Sequence, residues 1–588
     1  MRTLALSVAL LLASCAPKTA PPELLPLPKE VQFTGGCVSA DLPVSFRRTD
    51  RLDVPLNGDQ AYLLRVDRDS IRITAETEEG FWNARQTLRQ LTSKGRIPRC
   101  TVTDWPSFRI RGWMMDAGRT WISPEELRRE IDNLSRFKMN VFHWHLTENE
   151  AYRLESRRYP ALNAPENMTR QPGRFYTLAE AQEIDAYARE RGVTVIPEVD
   201  MPGHSAAFER TFGFGMQTPE GKAVVRDLVD ELCETFSGPW VHIGTDEVAF
   251  TDPDFVPEMV ARARSHGKKV ISWNPGWPYR AGEIDMTQLW SYRGKPTEGV
   301  PAIDCRLHYL NHFDAYGDLV GLHTSRICGQ EEGSEGFAGS IVAIWNDRFL
   351  EDEAQIVALN SLYPAALALA DRAWRGGGYQ YFDGFGVALP AEGEAHDDFA
   401  DWERRMLATA SDLPLNYLPQ SEVHWQIAGP FPNGGDLSAS FPPEEPDYDW
   451  ASAPTATGTG IYLRHTWGSL VPAFLKDPQP DHTVYARTVI HADRETDVLL
   501  WFETQNCSRS EHDFPPPPGE WDWRQSWIRL DGEPLSPPAW SEDRGREALP
   551  VHLVRGDHEI LIKLPVGAFS TPETRLVKWM FTCQIQPL

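Results

Sequence analysis

The sequence of 588 residues predicts an α/β molecule, a (β/α)8 barrel of the TIM type set between a small N-terminal α+β domain and a C-terminal β-sandwich. Three observations predict it. Eight short apolar runs recur through the middle of the chain, at 110–115, 140–146, 194–199, 240–244, 269–273, 286–290, 306–310 and 340–345. Helical patterns lie between several of them, at 124–137, 178–191, 221–236 and 257–266, and another at 352–374 follows the last. That alternation calls for a parallel sheet with helices outside, and eight units favour a closed barrel over an open sheet. Beyond 421 the pattern changes to short β-rich runs, at 483–491, 497–504, 527–530 and 558–563, separated by Pro, Gly and Asp as in a sandwich.

The elements follow in order. Arg2, the apolar stretch 4–12 and the run Leu12, Ala13, Ser14, Cys15 look like a bacterial lipoprotein export signal, so residues 1–15 are expected to direct export and Cys15 to carry lipid. The apolar stretch is far shorter than the ~20 residues of a spanning helix. Residues 16–28, rich in Pro, are expected to be a tether to the cell envelope. Residues 29–105 read as the α+β domain, with strands at 61–66 and 70–75 and a helix at 81–91; residues 106–395 are the barrel; 396–420 is a helical linker; and 421–588 is the sandwich, open to sugar binding or to simple bracing of the barrel.

A net charge of −26 sets up a field that repels polyanions, which argues against nucleic acid and anionic membrane surfaces as partners and leaves the N-terminal lipid as the membrane contact. Seven cysteines follow Cys15; export permits disulfides, and Cys37 with Cys100 or Cys507 with Cys583 would each fall within one domain, but spacing does not choose. With no Cys-x-x-Cys pair, a structural zinc of that kind is not expected.

In a closed parallel barrel the C-terminal strand ends surround one pocket. Those ends deliver Asp116 and Arg119; His145 and Glu148; Glu198, Asp200 and His204; Asp246 and Glu247; Trp273; Trp290; Tyr309 and Asn311; Trp345 and Asp347. Acids gathered with indoles suit a sugar, whose apolar ring face stacks on aromatics while its hydroxyls donate to carboxylates. Glycoside cleavage needs a proton for the leaving oxygen and stabilisation of an oxocarbenium-like charge, and carboxyl groups supply both. His143 and His145 alternate on one strand and could ligate a metal, as a His-x-His pair does in other barrels, although packing and supporting roles fit them better.

Four ordered motifs make the reading specific. Arg111-Gly112-Trp113-Met114-Met115-Asp116-Ala117-Gly118-Arg119, Lys138-Met139-Asn140-Val141-Phe142-His143-Trp144-His145-Leu146, Ile196-Pro197-Glu198-Val199-Asp200-Met201-Pro202-Gly203-His204 and His242-Ile243-Gly244-Thr245-Asp246-Glu247-Val248 resemble, strand by strand, family 20 β-N-acetylhexosaminidases. The resemblance implies retaining removal of terminal β-linked N-acetylhexosamine from a glycoprotein, mucin or oligosaccharide, with the substrate's acetamido oxygen as nucleophile and no metal or cofactor. It implies Glu247 as general acid and base, Asp246 orienting the acetamido N–H, Tyr309 bonding its oxygen, and Arg119 holding ring hydroxyls with Asp347 as partner. Trp273, Trp290 and Trp345 would wall the pocket, and His204 with Glu148 would stand behind Glu247.

Three departures stand out. Gly244-Thr245 replaces the usual Gly-Gly, Glu148 replaces an Asp in the relay to His204, and Asn311 and Asp347 stand where Asp and Glu are common. Loss of a carboxylate near O6 predicts tolerance of a 6-sulfate, since like charges about 4 Å apart cost of order 1–4 kcal/mol. Two other functions compete: a metal-dependent deacetylase of N-acetyl sugars, and a surface glycan-binding lipoprotein that has lost the chemistry.

Overall fold

The computed structural model describes residues 22–306, 308–310, 318–382, 384–415, 417, 419–468, 470–504, 508–509, 512–513, 515–541, 545–570 and 578–587. The expected export signal with Cys15, the start of the tether, Asn311 and Cys507 lie outside them. Residues 24–28 of the expected tether are not loose: Leu24 and Leu25 are buried, and the backbone N–H groups of Leu25 and Leu27 donate to Gln90 and Asp371. Two leucines in a Pro-rich segment suffice to dock it.

The eight barrel strands are Ile110–Asp116, Val141–His145, Thr194–Glu198, Trp240–His242, Lys269–Asn274, Met286–Leu289, Ala302–Asp304 and Phe337–Ile344, and they close into a parallel barrel. At the seam Gly339 pairs with Ile110, and a Cβ on Gly339 would lie 1.9 Å from the Ile110 carbonyl oxygen, so only glycine lets the last strand meet the first. The seventh strand is not the expected run 306–310. Ala302 and Ile303 pair with Thr287 and Gln288 instead, and Tyr309 keeps its place at the mouth through an isolated parallel bridge to Ala343. A three-residue strand is too short to show a period, so the longer apolar run beside it drew the assignment.

Side-chain caps start the helices that pack around the barrel. Ser123 caps Pro124–Ser135, and Thr177 with Glu180 forms a capping box on Leu178–Arg189. The single helix expected at 352–374 is two, Glu353–Leu359 and Leu362–Arg375, parted at Ser361, whose φ is 51°. The N-terminal sheet has the order Glu30–Ser39, Arg96–Asp104, Tyr62–Val66, Ile71–Ala75, Val44–Arg48, with the helix Glu78–Leu91 packed on it. Cys37 and Cys100 are both unpaired, so that possible disulfide is absent; Cys583 is also a free thiol. The C-terminal region stacks a six-stranded on a four-stranded sheet around Trp425, Leu463, Ile562 and Phe581, and His465 from it meets Asp318 of the barrel at 3.0 Å in a buried pair. Among the described residues no helix is long and apolar enough to cross a membrane.

Candidate active site

The fourth strand ends at His242, and the turn after it carries the acidic pair. Gly244, Thr245 and Glu247 all take left-handed backbone angles, with φ of 65°, 89° and 49°. A Cβ on Gly244 would fall 1.7 Å from Asp200 Oδ1, which explains the glycine. Thr245 is the costly member, since a β-branched residue at positive φ is an outlier. Its hydroxyl is tied down 2.6 Å from Ser272 Oγ, which in turn donates to the Gly244 carbonyl at 2.8 Å and receives Tyr279 Oη at 2.9 Å. A hydroxyl network therefore does what the missing second glycine would do.

The paired carboxyls sit in opposite settings. Asp246 is buried, and burial, reinforced by the charges of Glu198 and Glu247 against the opposing pull of His204, pushes its pKa up to about 7. Burial and Asp246 also hold Asp200 well above the carboxylate range. Glu247 is 56% exposed and is drawn below its usual value, first by its contact with His204 and also by the charges of Arg119 and Arg293. His204 lies 3.5 Å from Glu247 and 3.9 Å from Asp246 through Nε2, and 2.7 Å from Glu148 through Nδ1. Burial would lower this imidazole, but its bonds to Glu148 and Glu247 and the charge of Asp200 raise it to about 12, so it is a cation.

Glu148 serves twice. The same Oε1 that faces His204 forms an ion pair with Arg119 at 2.7 Å, and Arg119 also reaches Asp116 at 2.8 Å. Asp347, the expected partner of Arg119, is more distant at 3.9 Å. Asp116 is fully buried and is held low despite that burial by Arg119 and His145; it also accepts the backbone N–H groups of Arg119 and Asn346. The guanidinium lies 5.3 Å over the Trp345 ring.

Under the mouth, Glu198 is a hub. It bonds His145 at 2.5 Å and accepts the Trp273 indole N–H at 2.7 Å, with His143 and His242 each 2.9 Å away. Burial would raise its pKa, yet the three imidazoles keep it well below the usual range, while His145 rises to about 9 and buried His143 falls to about 4. Trp273 is fully covered and spends its N–H on Glu198, so it floors the pocket and is not an open wall. Trp345 and Tyr309 pack at 5.7 Å, and Trp290 is fixed through its indole N–H on the Pro275 carbonyl at 2.7 Å. Burial and the nearby Asp246 charge raise the Tyr309 phenol well above its normal range, leaving it a neutral donor.

Of the residues expected at the mouth, Arg119, Glu148, His204, Asp246 and Glu247 form one charged chain, and Tyr309, Trp345 and Trp273 one aromatic group. Sequence reasoning undervalued Glu198, Asp200 and Asp116, and it overlooked Arg293. The first three stand at or just beyond strand ends, a signal that was there to be weighed; Arg293 lies in a loop with no periodic cue. His143, Glu198 and His242, and separately Asp200, His204 and Asp246, bring metal-ligand types within 4.8 Å of one another. In the first cluster both carboxylate oxygens already serve N–H donors.

The fold and site thus define a closed parallel barrel with an acidic, aromatic-floored pocket at its C-terminal mouth. Residues 108–213 match the model described as glycosyl hydrolase family 20, catalytic domain, and residues 38–105 the model of domain 2 of that family. Over residues 38–213 the chain is thus similar to the second and the catalytic domain of glycosyl hydrolase family 20. It is 33% identical over 234 residues to a beta-hexosaminidase of Vibrio furnissii, covering 33% of this chain and 38% of that protein. It is 31% identical over 320 residues to a beta-N-acetylhexosaminidase of Cellulomonas fimi, covering 48% and 63%. The chain thus spans less than two thirds of the length of these relatives. The fold is similar to that of the family 20 beta-N-acetylhexosaminidase of Streptomyces coelicolor A3(2), with a TM-score of 0.56 at 21% identity over 69% of this chain and 99% of that one.

Proposed function

We propose that this protein is a retaining, exo-acting β-N-acetylhexosaminidase that removes terminal β-linked N-acetylhexosamine by substrate assistance. The observation that carries the proposal is the continuous link from Arg119 through Glu148 and His204 to the Asp246–Glu247 pair, beside Tyr309 and Trp345. In this reading Arg119 takes the ring hydroxyls, Asp246 accepts the acetamido N–H and offsets its growing positive charge, and Tyr309 donates to the acetamide oxygen as that oxygen attacks the anomeric carbon. Glu247 gives its proton to the leaving oxygen and then takes one from water. Its ionised state beside His204 is that of the open pocket. A bound sugar would remove water from a half-exposed carboxyl and raise its pKa toward that of an acid.

The test is release of p-nitrophenol from the β-N-acetylglucosaminide and β-N-acetylgalactosaminide. Activity that survives chelator and falls about 100-fold or more in Glu247→Gln supports the reading. Activity abolished by chelator and restored by a divalent metal would instead favour the deacetylase, for which the two histidine–carboxylate clusters supply the ligand types.

Two finer readings rest on the sequence. Asn311 in place of an acid favours 6-sulfated N-acetylglucosamine, and complete rejection of the sulfated substrate would sink that idea. Lipidation at Cys15 would hold the protein on the bacterial envelope, and a mature N-terminus elsewhere, read by mass spectrometry, would sink it.

A further inference from the structure

We infer that Tyr292, Arg293 and Trp467, across the junction of barrel and sandwich, form a leaving-group subsite for a sugar that carries a negative charge, a uronate or a sulfate ester. The inference rests on the hexosaminidase reading and names what lies on the far side of the cleaved bond. Tyr292 and Arg293 follow the pocket residue Trp290 in the loop beyond the sixth barrel strand, and Trp467 follows the sandwich strand Gly460–Arg464.

The two aromatic rings meet at 4.8 Å across the junction, with Tyr292 36% exposed. Their relative position is fixed: the Trp467 backbone N–H donates to His465, whose other ring nitrogen faces Asp318 at 3.0 Å. The barrel loop is equally pinned. The Gly294 N–H donates to the Ser291 carbonyl at 2.7 Å, and Asn274 Nδ2 donates to the Lys295 carbonyl at 2.9 Å.

Arg293 is exposed, and among the described residues its guanidinium has no hydrogen bond or ion pair. Arg119 and His204 are paired with carboxylates, whereas Arg293 has no such partner among the described residues. Arg293 stands three residues beyond Trp290 in the loop that leaves the sixth strand at the barrel mouth, and its charge helps to draw down Glu247. The exposed Tyr292 ring, held at 54° against Trp467, can stack a pyranose face, and the neighbouring Arg293 guanidinium can pair its carboxylate or sulfate.

The test compares N-acetylglucosamine β-linked to galactose, to galactose 6-sulfate and to glucuronate, with p-nitrophenyl N-acetyl-β-glucosaminide as reference. For the unaltered protein, kcat/KM is expected to be higher on at least one acidic disaccharide than on the neutral one, and to fall with added salt. In Arg293→Gln the acidic-to-neutral ratio should drop about fivefold or more, and Arg293→Glu should drop it further. Tyr292→Ser should raise KM on the disaccharides. Which acidic arm responds tells uronate from sulfate. A ratio unchanged in both Arg293 variants, in a protein active on the reference, overturns the subsite and leaves the hexosaminidase reading standing. No release from the reference overturns both.

Discussion

Asp246 and Glu247 are neighbours in sequence and opposites in environment. The buried member is pushed up to about 7 and the half-exposed member is drawn down by His204. Two predictions follow the sign of the Asp246 shift. An Asp246 that must be ionised to accept the acetamido N–H should make kcat/KM climb as pH rises through about 7, with Asp200 sharing the titration, and a pH–rate profile without an acid limb would contradict this role. Between the ordinary Asp value near 3.8 and about 7 the folded protein keeps a proton that the unfolded chain has lost, so this group withdraws stability as pH rises through that window. Asp246→Asn should therefore lose activity yet melt higher than the parent at pH 8, by about 1–2 °C for each kcal/mol recovered. A lower melting temperature would show that the carboxylate is held by more than the charges around it.

At the scale of the element, the turn after the fourth strand decides whether the pair is presented at all. Gly244 leaves room for Asp200, and the Thr245 hydroxyl offsets a backbone angle that costs of order 1–3 kcal/mol. Gly244→Ala should abolish activity and lower the melting temperature sharply, because its Cβ would overlap the Asp200 carboxyl. Thr245→Val keeps the strain and loses the bond to Ser272, costing about 1 kcal/mol or more, whereas Thr245→Gly trades strain for hydrogen bond and should stay near neutral. Thermal melts of the three variants, ranked in that order, check the account.

At the scale of the whole molecule, the small N-terminal domain is bonded to the barrel through buried charge. Asp104 receives Lys138 at 2.9 Å, the Tyr62 hydroxyl at 2.6 Å and the Trp374 indole at 2.8 Å, joining one sheet strand to the first barrel helix layer and the last. Removing one partner strands a buried charge, so Lys138→Met should cost about 3–5 kcal/mol. It should also split one unfolding transition into two if this link is what couples the domains; a single transition at the parental temperature would refute it.

Strand and helix periods and four ordered motifs were local signals, and so the barrel and most of its helices were legible from the sequence alone, as were the residues that the strand ends bring to the mouth. Each depends on neighbours within a few positions. What the tertiary structure decided depends on residues far apart: the seventh strand at Ala302–Asp304, Trp273 as a floor committed to Glu198, Glu148 shared between Arg119 and His204, and the free thiols of Cys37 and Cys100. The division of labour between Asp246 and Glu247 belongs with these. A sequence gives both the same intrinsic acidity, and only burial and the positions of His204, Glu198 and Arg293 move one up and the other down.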